Sequence, residues 1–344
     1  MYIYYLLKNF IYFPKLIIMR NFFIGVFLIG CCLWVTAADI ISAGVDPIFP
    51  KALFRENIAA FTKVYSGYDV QAFAEYEAAQ KPDYSRLQSV LLNNDLVGIY
   101  GKPNAYTMGI LGQYKLEELD TIVENYVKMY DDANGDRGVI PVLYIIYGTC
   151  FPGGDIGLLR DSTVKRYIEY AAERGWYVVL DHQIGRFGVK NAMDAILPFL
   201  KYPNVHLAID PEWHTTKPMR EIGSVTAADI NMAQQMMQDY MIAHNILDKR
   251  FFIIHQFNAV MISNRSQVKS NYEKVQLIHC SDGHGNPSLK RQTYAYNALA
   301  TNMPLKSFKL FTKPTVAGAG YDIPLMTPEQ VLQLKPRPYF IMYQ

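Results

Sequence analysis

Short runs of apolar, β-branched and aromatic residues recur along the chain. Between them lie stretches whose apolar residues fall at spacings of three and four. The runs are LVGIYG (96–101), VIPVLYIIYG (139–148), WYVVLDHQ (176–183), VHLAIDPE (205–212), FFIIHQF (251–257), VQLIHCSD (275–282), FKLFTK (308–313) and YFIMYQ (339–344). Near-continuous apolarity is what a strand buried on both faces requires. KLEELDTIVENYVKMYDD, DSTVKRYIEYAAERG, VKNAMDAILPFLKY and TAADINMAQQMMQDYMIAHN carry the period of amphipathic helices. From Thr327 the order Thr-Pro-Glu-Gln marks a helix start: a capping hydroxyl, proline at the first helical position and glutamine at the third.

Eight strand signals in series, most followed by a helical stretch, predict an α/β fold, a (β/α)8 TIM barrel over residues 93–344. An open doubly wound sheet is the rival, but it leaves two edges to protect. No helical stretch follows the eighth run. The segment 38–92, which includes ALFRENIAAFTKVY and VQAFAEYEAAQ, is therefore expected to form an N-terminal helical extension that covers the last strand.

Residues 1–37 form a third unit. Read from Met19, a basic start, an apolar stretch and a Val-Thr-Ala ending have the three parts of a secretory signal. Leu28-Ile29-Gly30-Cys31 also has the form of a bacterial lipoprotein box. Cleavage after Ala37, lipidation at Cys31 and retention as a membrane anchor are three outcomes that fit the same residues. All three place the chain outside the cytoplasm or in the cell envelope, the last two with a membrane tether.

Composition narrows the partners. The chain is 51% hydrophobic and 19% charged, enough for a large core. Lys8, Lys15 and Arg20 are three of its 33 basic residues and lie in the leader, which holds no acid; the rest carries 30 basic against 31 acidic residues, a net charge of −1. That balance gives no electrostatic basis for nucleic-acid binding. Cys150 and Cys280 remain after the leader, and one pair in so long a chain is no disulfide framework. The glycines of FPGGDIGLL and VAGAGYD lack a phosphate-loop lysine and the dinucleotide spacing, and no Cys-x-x-Cys or His-Glu-x-x-His occurs, so no cofactor and no metal are expected.

In such barrels the active site gathers at the C-terminal ends of the strands. Those ends are polar here beyond what packing asks for: Tyr100, Tyr147, Asp181, Gln183, Asp210, Glu212, His255, Gln256, His279, Asp282 and Tyr343, with Trp213 just beyond. Residues two apart on a strand share a face. With Val205, Leu207 and Ile209 outward, Ala208, Asp210 and Glu212 turn toward the mouth. Val178 and Leu180 outward likewise leave Asp181 and Gln183 at the mouth, so Asp181 and Asp210 are expected as neighbours on adjacent strands. Lys309, in the seventh run, reads as a counter-ion or an edge residue. Close carboxylates repel and raise one pKa, a route to a general acid at neutral pH. Asp181, Asp210, Glu212 and Asp282 are the catalytic candidates. Tyr100, Tyr147, Gln183, Trp213, His255, Gln256, His279 and Tyr343 are candidates for binding substrate, since rings stack on sugar faces and polar side chains address hydroxyls.

VHLAIDPEW, FFIIHQF, FKLFTKP and LKPRPYFIMYQ resemble an uncharacterised family of bacterial secreted proteins and lipoproteins, from about residue 90 to the end. That resemblance implies an envelope-located barrel without a defined activity. More distantly the chain is similar to glycoside-hydrolase barrels. The Asp-x-Glu after the fourth strand is similar to that of chitinase-like families and would make Glu212 the acid, although Val205 and Ala208 stand where that motif has earlier aspartates. Barrels with one aspartate after strand four and another after strand six fit Asp210 and Asp282. A glycoside hydrolase acting on an extracellular carbohydrate is the leading expectation. A metal-assisted, for instance phosphodiester, hydrolase built on His255, His279, Asp181, Asp210 and Glu212 is a second, and a non-catalytic sugar-binding barrel a third.

Overall fold

The structure, a computed structural model, describes residues 89–344. The leader at 1–37 and nearly all of the extension expected to cover the last strand lie outside the described residues. Among the described residues no helix is long and apolar enough to cross a membrane.

Eight parallel strands close on themselves. They are β1 (Asn94–Gly101), β2 (Gly138–Cys150), β3 (Tyr177–Gln183), β4 (Val205–Asp210), β5 (Arg250–Gln256), β6 (Val275–Ser281), β7 (Leu305–Leu310) and β8 (Phe340–Tyr343). Each pairs in parallel with the next, and β1 pairs with both β2 and β8, which closes the ring. This is the (β/α)8 barrel read from the sequence. Between the strands lie α1 (Leu119–Ala133), α2 (Asp161–Glu173), α3 (Val189–Ile196), α4 (Ala227–Ala243), α5 (Pro287–Ala298) and α6 (Pro328–Leu332). Thr327 caps α6 as its sequence predicts, its hydroxyl accepting from Gln330 N while Gln330 Oε1 accepts from Thr327 N.

Alternation along the strands splits the apolar residues into two cores. Leu96, Val142, Tyr144, Val179, Ala208, Phe251, Ile253, Ile278, Cys280, Phe340 and Met342 fill the barrel. Val97, Leu143, Ile145, Val178, Leu180, Leu207, Ile254, Leu277, Phe308 and Ile341 face the helices. Burying a large side chain from water contributes about 1.5–3 kcal/mol each, so the two layers dominate the stability.

The strand bounds shift by one to three residues from the sequence reading, and two of the shifts have a plain cause. β7 runs from Leu305 rather than Phe308, because its polar Lys306 and Ser307 interrupt the apolar signal yet still pair with His279 and Cys280. β4 stops at Asp210, where Pro211 starts a single helical turn, Pro211–Trp213, capped by the Asp210 carboxylate. At the opposite end of the barrel, Asp95 takes hydrogen bonds from Arg137 and, in a two-point pair at 2.6 and 2.7 Å, from Arg337, riveting the β1–β8 seam. Cys150 and Cys280 are free, buried thiols.

Candidate active site at the strand ends

The alternation that fills the barrel also decides which polar residues reach its mouth. On β3 the inward row continues from Val179 to Asp181, and on β4 from Ala208 to Asp210. On β5 it runs through Phe251 and Ile253 to His255, and beyond β6 through Ile278 and Cys280 to Asp282. β1 contributes Tyr100, β2 Tyr144 and β7 Lys309. The register sets Asp210 beside Gln183 and Asp181 beside Ala208, so the two aspartates sit one layer apart on neighbouring strands.

These side chains form one hydrogen-bonded cluster. His255 Nδ1 donates to Asp282 Oδ2 at 2.9 Å, and its Nε2 lies 2.6 Å from the Tyr144 hydroxyl. Lys309 Nζ donates to the same Asp282 Oδ2 at 3.1 Å and stands 3.9 Å from the centre of the Tyr100 ring, a cation over an aromatic face. The Tyr100 hydroxyl donates to Asp181 Oδ2 at 3.0 Å, and Asp181 Oδ1 has no partner among the described residues. Asp282 Oδ1 accepts from Gly283 N at 2.7 Å, and Asp210 Oδ1 accepts from Glu212 N at 3.0 Å.

The environment drives the carboxyls apart. Burial tends to neutralise Asp282, but Lys309 and then His255 outweigh it and hold the carboxyl well below its usual range. Asp181 is raised, chiefly by burial. Burial, with Asp181 and Asp282 adding to it, lifts Asp210 to about 6. Glu212 is lifted to about 8, again by burial first and then by Asp210 and Asp282. On His255 burial favours the neutral ring, but Cys280, the bond to Asp282 and the Asp210 charge together raise it well above the ordinary histidine value. At neutral pH this yields an ionised Asp282, cationic Lys309 and His255, and a protonated Glu212. Asp181, Asp210 and Asp282 are buried, whereas Glu212 is only half-buried.

A cation site has to be weighed here. One ligand atom from each of Asp210, His255 and Asp282 lies within 4.8 Å of the other two. Two of the three are already committed, however. His255 uses Nδ1 on Asp282 and Nε2 on Tyr144, and the ammonium of Lys309 already neutralises Asp282. A metal ion would have to break both arrangements, so these residues fit an ammonium better than a metal. His279, expected in a metal site, is on the other face of the sheet.

The remaining candidates divide. Tyr147 faces outward, its ring 5.3 Å from that of Phe199. Tyr343 also faces the helices, its hydroxyl 2.9 Å from that of Tyr130. Gln256 and His279 bond each other at 2.9 Å on the outer face, where Arg265 donates to Gln256 and Lys306 contacts His279 Nδ1 at 3.1 Å. These four therefore do not line the mouth: the odd-even order that turns Asp181, Asp210, His255 and Asp282 inward turns them out. Gln183 is at the mouth, but its Oε1 accepts from Cys150 N at 2.6 Å and fixes the end of β2. Trp213 is half-buried, and its carbonyl accepts from Gly185 N, joining the loops after β3 and β4. Tyr144 belongs to the cluster yet lies within a run read as wholly apolar. Its place between inward Val142 and Ile146 was the available signal. Lys309 proves to be a counter-ion, that of Asp282.

No family model matches the chain, and no curated protein matches it. Among solved structures it is similar to an enzyme of glycoside hydrolase family 138 targeting pectin rhamnogalacturonan II, at 11% identity and a TM-score of 0.39 over 73% of this chain and 34% of that one. It thus spans about a third of the length of that enzyme. It is also similar to the family 18 chitinase ChiB from the chitin utilization locus of Flavobacterium johnsoniae, at 9% identity, a TM-score of 0.41, and 73% and 87% coverage. A third is a hyperthermophilic endo-β-1,4-glucanase, at 10% identity and a TM-score of 0.39 over 74% and 91%.

Proposed function

We propose that the chain is a glycoside hydrolase whose acid is Glu212. The observation that carries this reading is the contrast among four carboxyls at one barrel mouth. Three are buried and one, Glu212, is half-buried with its proton retained to about pH 8. Cleaving a glycosidic bond requires a carboxylic acid to protonate the leaving oxygen, and a second carboxylate to act as nucleophile, base or charge stabiliser at the sugar. Asp210 is suited to the second part. It is ionised above about pH 6, and by capping the turn that carries Glu212 it fixes the backbone from which that side chain projects. Its charge also helps keep Glu212 protonated.

Asp282, Lys309, His255 and Tyr144 support that pair from below. Asp282 accepts from two cations and a backbone amide, which leaves it poorly placed to exchange protons with a substrate. Its part is to hold Lys309 and His255 where their charges keep the floor of the site rigid and ionised. Tyr100 and Asp181 extend the same floor.

The substrate class is an extracellular or envelope carbohydrate, a reading supported by the signal-like leader and the loop aromatics Tyr106, Phe151 and Phe187, all exposed. Turnover of a panel of polysaccharides and aryl glycosides, with and without a chelator, tests the proposal in wild type and Asp210→Asn. Chelator-resistant hydrolysis that falls at least a hundredfold in Asp210→Asn is expected. Hydrolysis abolished by chelator would favour a metal-dependent reaction instead. No turnover of any sugar would leave a binding barrel.

A further inference from the structure

A cavity of about 390 Å3 lies at the far end of the barrel from the carboxyl cluster, between the starts of β3, β4, β5 and β6 and the end of α2. That is the size of a small-ligand pocket rather than a packing defect. Its wall is aromatic: His206 lies between Tyr177 and Phe251, with ring centres 4.6 and 4.5 Å away, and Trp176 stands beside them.

Three polar atoms of the lining residues are unmatched. Phe251 N donates to His206 Nδ1 at 3.0 Å. Burial first, and then the Arg250 charge, hold His206 well below the ordinary histidine value, so its ring is neutral and carries its proton on Nε2. Asn204 Nδ2 donates to the carbonyls of Ile168 and Trp176 at 3.1 and 3.2 Å, which fixes the orientation of the amide and leaves Oδ1 as an acceptor. Arg250 spends a terminal nitrogen on Asp248. His206 Nε2, Arg250 Nε and Asn204 Oδ1 are all buried and have no hydrogen-bond partner among the described residues. Leaving such groups unmatched is costly, so three of them around one cavity call for a ligand with acceptors for two donors and a donor for one acceptor.

This inventory separates ligand classes. A sugar ring brings more hydroxyls than three groups can serve, and the surplus would be buried unpaired. An aromatic carboxylate suits the two donors but offers nothing to Asn204 Oδ1. A planar cyclic imide carries two carbonyls and the N–H between them, one group for each unmatched atom, on a ring whose faces suit the aromatic wall.

We propose that the cavity binds a planar heteroaromatic imide of the uracil class, its carbonyls accepting from His206 Nε2 and Arg250 Nε and its N–H donating to Asn204 Oδ1. This site is separate from the carboxyl cluster and does not depend on the hydrolase reading. Isothermal titration calorimetry of the full chain compares uracil with 3-methyluracil, which lacks the imide N–H. The expected result is a Kd for uracil below about 1 mM and binding of 3-methyluracil at least about tenfold weaker. Benzoate and methyl glucoside should bind more weakly than uracil. Gln276→Trp, which fills the cavity from its half-buried wall, should abolish uracil binding. His206→Phe keeps the ring but loses the donor, and should weaken uracil binding about tenfold. Absence of uracil binding, equal binding of the two uracils, tighter binding of benzoate or the glucoside, or uracil binding unchanged in Gln276→Trp would overturn the proposal. Should the variants fail to fold, photocrosslinking of 4-thiouracil to the wild-type chain decides. Links in the peptides holding 172–177, 203–206 or 248–251 support the site, and links confined to other peptides overturn it.

Discussion

Lys309 and Asp282 form a buried ion pair, 3.1 Å from Nζ to Oδ2, with side chains only 4% and 5% exposed. Removing one member of such a pair strands the other charge, which costs far more than the pair contributes. Lys309→Met should lower unfolding stability by about 3 kcal/mol at pH 7 in urea titrations. Because the defect is a buried carboxylate left with His255 as its remaining cationic partner, Lys309→Met with Asp282→Asn should recover part of the loss. Equal stability of the single and double variants would show that the ion pair is not what the floor of the site depends on.

Glu212 and Asp210 should make the fold less stable as pH rises. Their folded-state pKa values, about 8 and about 6, lie above the ordinary values of 4.5 and 3.8, so the folded chain binds protons that the unfolded chain has released. Stability is then lost between pH 3.8 and about 6 through Asp210 and between pH 4.5 and about 8 through Glu212. Asp282, shifted the other way, contributes stability that is lost only in strong acid. Urea midpoints from pH 5 to 8.5 should fall, and Glu212→Gln should flatten the upper half of the curve.

The same two groups set the pH profile of turnover. Asp210 has to be ionised and Glu212 protonated, so kcat/KM should rise through about pH 6 and fall through about pH 8. A profile still rising above pH 9 would remove Glu212 from the role of acid.

Tyr343 lies outside the barrel, and its hydroxyl meets Tyr130 rather than the mouth. Tyr343→Phe should cost about 1 kcal/mol of stability and leave turnover unchanged. A fall in kcat would instead place this ring at the substrate.

The barrel was legible because strands buried on both faces write unbroken apolar runs, and eight of them stand in order. The central aspartates were legible too, since Val178 and Leu180, or Val205, Leu207 and Ile209, fix which side Asp181 and Asp210 take. Tyr147, Gln256, His279 and Tyr343 sit at polar strand ends as the mouth residues do, but the alternation within each strand turns them outward. On β6, outward Leu277 already sends His279 out and Cys280 in. Tyr144 was hidden for a different reason: a tyrosine inside a barrel is as apolar as its neighbours until its hydroxyl meets His255. The ordering of charges in the cluster depends on contacts among five strands, which no single stretch of sequence records.

The most direct test of the account is the hydrolysis of aryl glycosides of graded leaving-group acidity by wild type and Glu212→Gln. If Glu212 protonates the leaving oxygen, the variant folds as wild type but loses about 10²–10⁴-fold in kcat/KM on poor leaving groups and far less on the most acidic ones. Equal losses across the series, or wild-type turnover by the variant, would contradict it.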